Sequence, residues 1–458
     1  MRHDFKVKAP LDPEFLPMEI VCRDFQKEAD AAGGKELVIG IVRNNEYTSA
    51  HVMTVFPDGT GHDDENFSVV ERVVKSLLWA RGGYKIILAG SPVIGRRIAE
   101  AYAVDGLREF DRNFMARVYE RDFEVELRDI TAAPVTFEST KPVGRHLEGC
   151  RIGFDAGGSD RKVSAVIDGE PVYSEEVVWF PKTNSDPRYH YDGILEAMKT
   201  AASKMPRVDA IGVSSAGIYI DNKTMAASLF LKVSEEDFAR TVKTMYIDIA
   251  KELGHVPLKV ANDGDVTALA GAMSLNDVNI LGIAMGTSEA AGYVGRDGNI
   301  TGWLNELAFV PVDANQASCV DEWSGDYGCG VKYMSQDAVI KLAPAAGIEL
   351  DPGASPGERL KAVQALMEQG HDGARKIFET IGVYFGFAVA YYARFYDIRH
   401  VLFLGRVSSG EGGEVVLDFA NRVLAEDFPE LAGKIAISLP DEKSRRVGQS
   451  VAAASLPD

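Results

Sequence analysis

The residues best suited to chemistry lie where an apolar segment ends at a carboxylate and two glycines. Asp155 is followed by Gly157, Gly158 and Ser159, and a second apolar run begins at Val163. Because glycine lacks a Cβ, the backbone N–H groups of such a turn can point at an anion beside the carboxylate. This arrangement suits a phosphate chain and its metal ion, although an ordinary hairpin turn uses the same residue types.

A second set of polar residues, Asn262, Asp263 and Asp265, follows a short apolar strand. A carboxylate within hydrogen-bond reach of an alcohol can accept its proton, which typically accelerates a reaction by ~10²–10⁴-fold. The alternative is structural, because Asn and Asp often cap helices and residues 266–273 are predicted to be helical. Spacing alone leaves both interpretations open.

The elements that position these residues are strands and helices on both sides of a polar stretch. Residues 138–150 contain Pro142 and Gly144 and predict a linker. The predicted strands are 37–42, 51–56, 85–89, 123–127, 152–155, 162–167, 171–179, 210–214, 257–261, 279–285, 292–294, 400–404 and 435–438. The predicted helices are 69–80, 94–102, 191–205, 235–253, 266–273, 374–396, 414–425 and 447–455. This order predicts an α/β protein.

Composition excludes several classes of protein. The 458 residues carry a net charge of −19, which disfavours nonspecific nucleic-acid binding because duplex phosphates would be repelled. The most apolar predicted helix contains Glu379 and Arg394, so we expect a buried helix and no membrane span. The four cysteines fit a reducing cytoplasm, and we expect no disulfides.

Taken in order, the motifs resemble those of the ROK family (repressors, uncharacterised frames and sugar kinases) of the actin-like ATPase and sugar-kinase superfamily. Residues 155–159 resemble the family's first phosphate loop, and residues 286–288 resemble the start of its second. Residues 401–410 are similar to its adenosine segment. The resemblance covers residues 150–456 and implies a two-lobed actin-like ATPase (ribonuclease H-like) fold.

The resemblance implies an ATP-dependent phosphotransferase that acts on a hydroxyl of a sugar or sugar derivative. Asp263 would be the general base, and Asp155 would hold Mg²⁺ through water. The implied nucleotide and phosphate contacts are Asp155, Gly157, Gly158, Ser159, Gly286, Thr287, Ser288 and Gly405. The expected substrate contacts are Asn262, Asp265, Glu306 and Trp323, the last because aromatic rings often stack on sugar faces.

The chain departs from the family pattern at several positions. Phe309 stands where the family has a histidine, and Val331 stands where a sugar-binding glutamate is expected. Only Cys319 and Cys329 lie within local reach, whereas a structural zinc needs about four ligands, so we expect no structural zinc. Arg406 replaces a usual glycine and weakens the expectation of ATP as the nucleotide.

These features predict three parts: an N-terminal α/β domain (1–145), a first lobe with the phosphate hairpin and catalytic aspartate (150–275), and a second lobe (276–458). The first part is either a decayed repeat of the second lobe or an unrelated domain. We expect a cytoplasmic protein with a small-molecule sugar as partner, without nucleic acid or membrane, and a homo-oligomer stays open. The alternative function is a catalytically inactive sugar- or nucleotide-binding sensor or regulator that lacks a DNA-binding head.

Overall fold

The computed structural model describes residues 3–139, 142–439 and 442–458. Residues 140 and 141 of the predicted linker lie outside the described residues. The chain forms two compact units. Unit 1 comprises Met1–Ser139, Ile283–Ala290 and Trp303–Leu439. Unit 2 comprises Thr140–Gly282, Ala291–Gly302 and Pro440–Asp458. The division into three parts at residues 145 and 276 stays a prediction.

Strands and helices alternate along the described chain. The strands are β1 (Lys35–Val42), β2 (Thr48–Val55), β3 (Lys85–Ala89), β4 (Glu124–Arg128), β5 (Cys150–Ala156), β6 (Asp160–Ile167), β7 (Glu170–Val178), β8 (Ala210–Ser215), β9 (Ile218–Ile220), β10 (Lys223–Ala226), β11 (Leu258–Asn262), β12 (Ile280–Met285), β13 (Glu289–Val294), β14 (His400–Leu404) and β15 (Ala436–Ser438). The helices are α1 (Met18–Ala31), α2 (Asp63–Arg81), α3 (Pro92–Ala101), α4 (Glu109–Tyr119), α5 (Pro187–Ala202), α6 (Glu235–Asp237), α7 (Met245–Glu252), α8 (Asp263–Leu275), α9 (Gln336–Leu342), α10 (Pro356–Glu368), α11 (Asp372–Tyr392), α12 (Glu411–Asp427), α13 (Pro429–Ala432) and α14 (Glu442–Ala454).

Unit 2 is built on a five-stranded sheet with the order β11-β8-β5-β6-β7. Strands β5, β6 and β7 are antiparallel neighbours, whereas β5, β8 and β11 run parallel to one another. The central strands are apolar along most of their length, and Ile152, Phe154, Ile211 and Val213 are fully buried. Burial of these side chains fixes the strands that carry polar residues at their carboxyl ends.

Helix α14 packs directly on the backbone of two central strands of this sheet. A Cβ at Gly153 would lie 2.1 Å from the carbonyl oxygen of Ser450, and one at Gly212 would lie 1.6 Å from that of Ala453. Glycine is therefore required on β5 and β8, because any side chain would collide with the helix backbone.

Unit 1 contains the N-terminal sheet, with the order β2-β1-β3-β4. Strand β1 is antiparallel to both β2 and β3, and β3 is parallel to β4. Strands β12 to β15 form a further sheet with the order β13-β12-β14-β15. In both sheets the strand that comes second along the chain lies at the edge, next to the strand that comes first. That the N-terminal sheet is a decayed repeat of the second lobe stays a prediction.

Helix α11 crosses unit 1 and is buried along nearly its whole length. Gly382 and Gly386 bring it against α12, since a Cβ at either position would lie 2.6 Å from a side-chain atom of that helix. Among the described residues, every helix is too short or too polar to cross a lipid bilayer. All four cysteines are free thiols.

Several predicted helices differ from the structure in their bounds, and for two of them the cause is visible. The helix predicted at 235–253 is divided, because the Lys243 N–H bonds the Phe238 carbonyl five residues earlier and shifts the helical register between α6 and α7. Helix α8 begins at Asp263, three residues before the predicted start, because Asn262 caps it. Helices α1, α4, α9, α10 and α13 have no counterpart in the prediction.

Candidate active site

Three neighbouring parallel strands of unit 2 end in polar residues. Asp155 on β5 lies opposite Ser214 on β8, and Ser215 lies opposite Asn262 at the end of β11. Asp263 follows immediately as the first residue of α8. Because the carboxyl ends of parallel strands share one edge of a sheet, Asp155 and Asp263 are brought to the same edge.

Asp155 is a buried carboxylate with one strong internal partner. Its side chain is buried, and its Oδ1 accepts a 2.9 Å hydrogen bond from the Ser214 hydroxyl. Burial raises the pKa of Asp155 to about 6, the Ser214 bond opposes the rise, and the nearby charge of Asp263 adds to it. A cation beside Asp155 would relieve this cost and stabilise the ionised form.

Asp263 is positioned by the cap of its own helix. The Asn262 Oδ1 accepts a 2.7 Å hydrogen bond from the Gly264 N–H, and its Nδ2 donates to the Gly217 carbonyl at 2.8 Å. Burial raises the pKa of Asp263, while the Gly264 N–H and Lys182 oppose the rise. Asn262 is thus the helix cap and Asp263 is not. A contact between Asn262 and a substrate stays a prediction.

Asp265, two residues further along α8, faces the protein interior. It is buried, and its Oδ1 accepts a 3.2 Å hydrogen bond from the Tyr293 backbone N–H on β13. This bond ties α8 to β13, which gives Asp265 a structural role. A contact between Asp265 and a substrate stays a prediction.

The predicted phosphate turn is the tip of the β5–β6 hairpin, and Trp179, which follows β7, donates hydrogen bonds to it. The indole N–H of Trp179 donates to the Gly157 carbonyl at 2.7 Å, and its backbone N–H donates to the Ser159 carbonyl at 3.1 Å. A Cβ at Gly157 would lie 2.7 Å from the Asp160 carbonyl oxygen, so glycine is needed there. Gly158 and Ser159 are exposed, which leaves the outer face of the turn open.

In unit 1, the other two predicted nucleotide segments lie together. Thr287 and Ser288 are exposed between β12 and β13, and the Arg406 guanidinium donates a 2.6 Å hydrogen bond to the Thr287 hydroxyl. Gly405 has a φ of 109°, and a Cβ there would lie 2.3 Å from the Met285 carbonyl oxygen. Glycine is therefore required at position 405 by the close approach of two strand ends.

The predicted sugar contacts of unit 1 have different surroundings. Glu306 is half-buried, and its backbone N–H donates to the Trp79 carbonyl at 3.1 Å. The Phe309 ring stacks on Trp79 with centroids 4.1 Å apart, so it belongs to an aromatic cluster. Trp323 is 74% exposed, so most of its ring faces solvent.

Glu289 is a buried carboxylate that the sequence does not reveal. It follows an exposed turn, yet it is only 3% exposed and accepts a weak 3.4 Å bond from the Tyr392 hydroxyl. Its Oε2 has no hydrogen-bond partner in the part of the chain that the structure describes. Burial raises the pKa of Glu289 to about 8, and the charge of Glu306 adds to the rise.

A buried ionic cluster surrounds the segment between Cys319 and Cys329 in unit 1. The Asp326 Oδ2 accepts hydrogen bonds from Arg72 at 2.5 Å and Lys75 at 2.6 Å, and it pairs with Arg108 at 2.7 Å. The Cys329 Sγ lies 3.8 Å from the Lys75 Nζ. Asp326 therefore anchors this segment internally.

The residues at the edge of unit 2 suit a magnesium ion that is carried by a phosphate chain. Across the described residues there is no group of three or more His, Cys, Asp or Glu side chains able to hold a metal. Magnesium commonly takes one or two carboxylates and fills its other positions with water and substrate phosphates. Asp155 supplies one such carboxylate at the end of β5, and a cation beside it would offset the cost of burying its charge.

Comparison with solved structures shows the fold. The ROK hexokinase of Thermus thermophilus is 17% identical, with a TM-score of 0.52 over 67% of this chain and 97% of the hexokinase. A ROK family transcriptional regulator, a homolog of the E. coli MLC protein, is 16% identical, with a TM-score of 0.54 over 68% of this chain and 79% of the regulator.

Comparison with known sequences gives no further information about the fold. No protein-family model matches the chain, and no curated protein matches it. Identities this low establish the fold and leave activity open. About two thirds of the chain therefore has the fold of a ROK sugar kinase and a ROK regulator, which confirms the resemblance and the actin-like ATPase fold predicted from the motifs.

Proposed function

We propose that the protein is an ATP-dependent phosphotransferase that phosphorylates a hydroxyl of a sugar or sugar derivative. The observation that carries the proposal is the juxtaposition of Asp155 and Asp263 at the carboxyl edge of parallel strands, beside the glycine turn. Phosphoryl transfer needs little more than a base, a bound cation and a phosphate cradle held in place.

Asp263 is the general base of the proposal. A sugar hydroxyl is a weak nucleophile, and a carboxylate that accepts its proton during attack lowers the barrier. The raised pKa of Asp263 makes it a stronger base than an exposed aspartate. The cap at Asn262 and the bond from Gly264 hold the carboxylate in place, which reduces the entropy lost on reaction.

The proposed phosphate contacts of unit 2 are one carboxylate and a set of backbone donors. Asp155 would hold Mg²⁺ through water, and Gly157, Gly158 and Ser159 would present N–H groups to phosphate oxygens. The ion would neutralise charge on those oxygens. The guanidinium of Arg406 beside Thr287 adds positive charge to the second phosphate segment, which supports an anionic ligand there.

In this proposal the phosphoryl group is accepted by a sugar, and the contacts that recognise the sugar differ from the ROK family pattern. Asn262, Asp265, Glu306 and Trp323 remain its proposed contacts. The stacking of Phe309 on Trp79 leaves an apolar side chain where the family has a polar one. A buried polar site discriminates hydroxyl groups far better than an apolar one, so a different sugar or pose is expected.

A direct experiment tests this proposal. The purified protein is mixed with Mg-ATP and a panel of sugars, and phosphorylated products are measured together with thermal stabilisation by each ligand. We expect transfer to at least one sugar, and a loss of ~10²–10⁴-fold in kcat for Asp263→Asn with unchanged Mg-ATP affinity. Asp192→Asn on α5 is the control, because that carboxylate is exposed on the helix surface.

Two outcomes would reject parts of the proposal. Full activity in Asp263→Asn would reject the base, and absence of transfer from ATP to every sugar would reject the kinase.

The second candidate, an inactive sugar- or nucleotide-binding regulator, is favoured by the similarity to the ROK regulator. This second candidate predicts thermal stabilisation by a sugar without turnover.

Cytoplasmic location is part of the kinase proposal, because ATP and free thiols are both found in the cytoplasm.

A further inference from the structure

The side chain of Lys182 lies over the phosphate turn. A Cβ placed at Gly158 would lie 2.9 Å from the Lys182 Cε and 3.1 Å from its Nζ. The ammonium group therefore borders the outer face of the turn, where backbone N–H groups are open to a ligand. Lys182 is itself exposed, so its charge is accessible.

The other basic residues near the turn are already occupied. Lys162 pairs with Asp160 at 3.0 Å, and Arg161 lies 3.9 Å from Glu196. In the segments that the structure describes, Lys182 has no ion pair and no hydrogen bond from its ammonium group. It is thus the cation at this turn that is available to a bound anion.

The backbone that carries Lys182 is held by hydrogen bonds to His190 and Tyr189. Residues Pro181–Thr183 form a single 3₁₀ turn directly after the buried Trp179. The Pro181 carbonyl lies 3.0 Å from the Nε2 of the fully buried His190, and the Phe180 N–H donates to the Tyr189 hydroxyl at 2.9 Å. Since Trp179 also bonds the glycine turn, Lys182 and the turn are positioned by the same residue.

Three carboxylates lie near Lys182. Asp155, Asp160 and Asp263 all lie at this edge of unit 2, and Lys182 is close enough to oppose the rise in the pKa of Asp263. A phosphate chain arriving here would add negative charge beside these carboxylates. An ammonium group at the turn offsets that repulsion and can donate charge-assisted hydrogen bonds to phosphate oxygens.

We propose that Lys182 is a phosphate-binding catalytic residue whose ammonium group contacts the phosphoryl group transferred from the nucleotide. This inference rests on the proposed kinase function. In the reaction, the sugar oxygen bonds to the γ-phosphorus and its proton passes to Asp263. The bond from the γ-phosphorus to the β–γ bridging oxygen breaks, and ADP leaves with that oxygen. Lys182 balances charge on the non-bridging oxygens throughout and changes no bond.

The test replaces the charge and measures two ligands that differ only in phosphate. Lys182→Met is expected to weaken Mg-ATP binding or lower kcat/KM by about 10- to 100-fold, the effect of a lost hydrogen bond to a charged group. Adenosine binding should not change, and Lys182→Arg should recover part of the loss. Lys232→Met is the matched control, since Lys232 is also exposed and follows a short 3₁₀ turn in unit 2.

Lys182→Gln serves as a second uncharged variant, and circular dichroism confirms that each variant is folded. If the wild type is active and both Lys182→Met and Lys182→Gln equal it in Mg-ATP affinity and kcat/KM, the proposed role of Lys182 is overturned. Equal losses for Mg-ATP and adenosine would also overturn it, because they would indicate a structural effect. A wild type that neither binds Mg-ATP nor transfers phosphate would instead reject the kinase proposal, and the inference with it.

Discussion

Ser214 donates a 2.9 Å hydrogen bond from its hydroxyl to Asp155, its partner on the neighbouring parallel strand. Ser214 is fully buried, so the bond has no competition from bulk water. Burial alone would raise the pKa of Asp155 further, and the serine hydroxyl limits that rise to about 6. One strand thereby controls the charge of the residue at the end of its neighbour.

We expect Mg-ATP affinity to fall as the pH drops below about 6, because protonated Asp155 no longer attracts the cation. Ser214→Ala removes the bond that lowers this pKa, so the midpoint should move to higher pH. Calorimetric titration with Mg-ATP across the acid range measures both effects. Ser164→Ala is the control, because its buried hydroxyl bonds Ser174 on β7 instead. An unshifted midpoint in Ser214→Ala would contradict this account.

We expect Gly212→Ala to destabilise unit 2. Its new methyl group would lie 1.6 Å from the Ala453 carbonyl oxygen, so either β8 or α14 must shift, at a cost of about 1–3 kcal/mol or more. Urea denaturation measures the free energy of unfolding. Gly448→Ala is the control, since its Cβ would have ordinary contact at 3.8 Å with Ala270. Equal stability of the two variants would show that the contact is looser than the structure indicates.

Local sequence signals were sufficient for the strands that carry the candidate site. Strands β5, β8 and β11 begin and end within two residues of the predicted bounds, because each is a short apolar run that ends at polar residues or glycine. By contrast, α1 and α4 start without a side-chain cap, so the usual signal for a helix start is missing from the sequence.

Contacts between distant segments could not be predicted from the sequence. Trp179 and Lys182 reach the glycine turn only because β7 returns along β6, and no local pattern marks either residue as part of the site. Asp326 is bonded by Arg72 and Lys75, which are about 250 positions away in the chain. Burial of such residues depends on tertiary packing, which periodicity does not report.

The buried carboxylate of Glu289 gives the stability of the protein a specific pH dependence. Its pKa is raised from 4.5 to about 8 by burial and by Glu306, while the Tyr392 hydroxyl opposes the rise. Between these two values the folded protein holds a proton that the unfolded chain has released. The free energy of unfolding contributed by Glu289 therefore decreases as the pH rises from 4.5 to about 8.

Glu289→Gln removes this titration, so the variant should gain stability relative to the wild type as the pH rises through that range. The gain should reach at least about 1.4 kcal/mol, the free energy equivalent of one pKa unit. Chemical denaturation of both proteins at several pH values measures it. Glu368→Gln on the exposed end of α10 should leave the pH dependence unchanged. Parallel curves for Glu289→Gln and the wild type would mean that Glu289 reaches water or a cation, because only such a partner would keep a carboxylate at this position ionised at neutral pH.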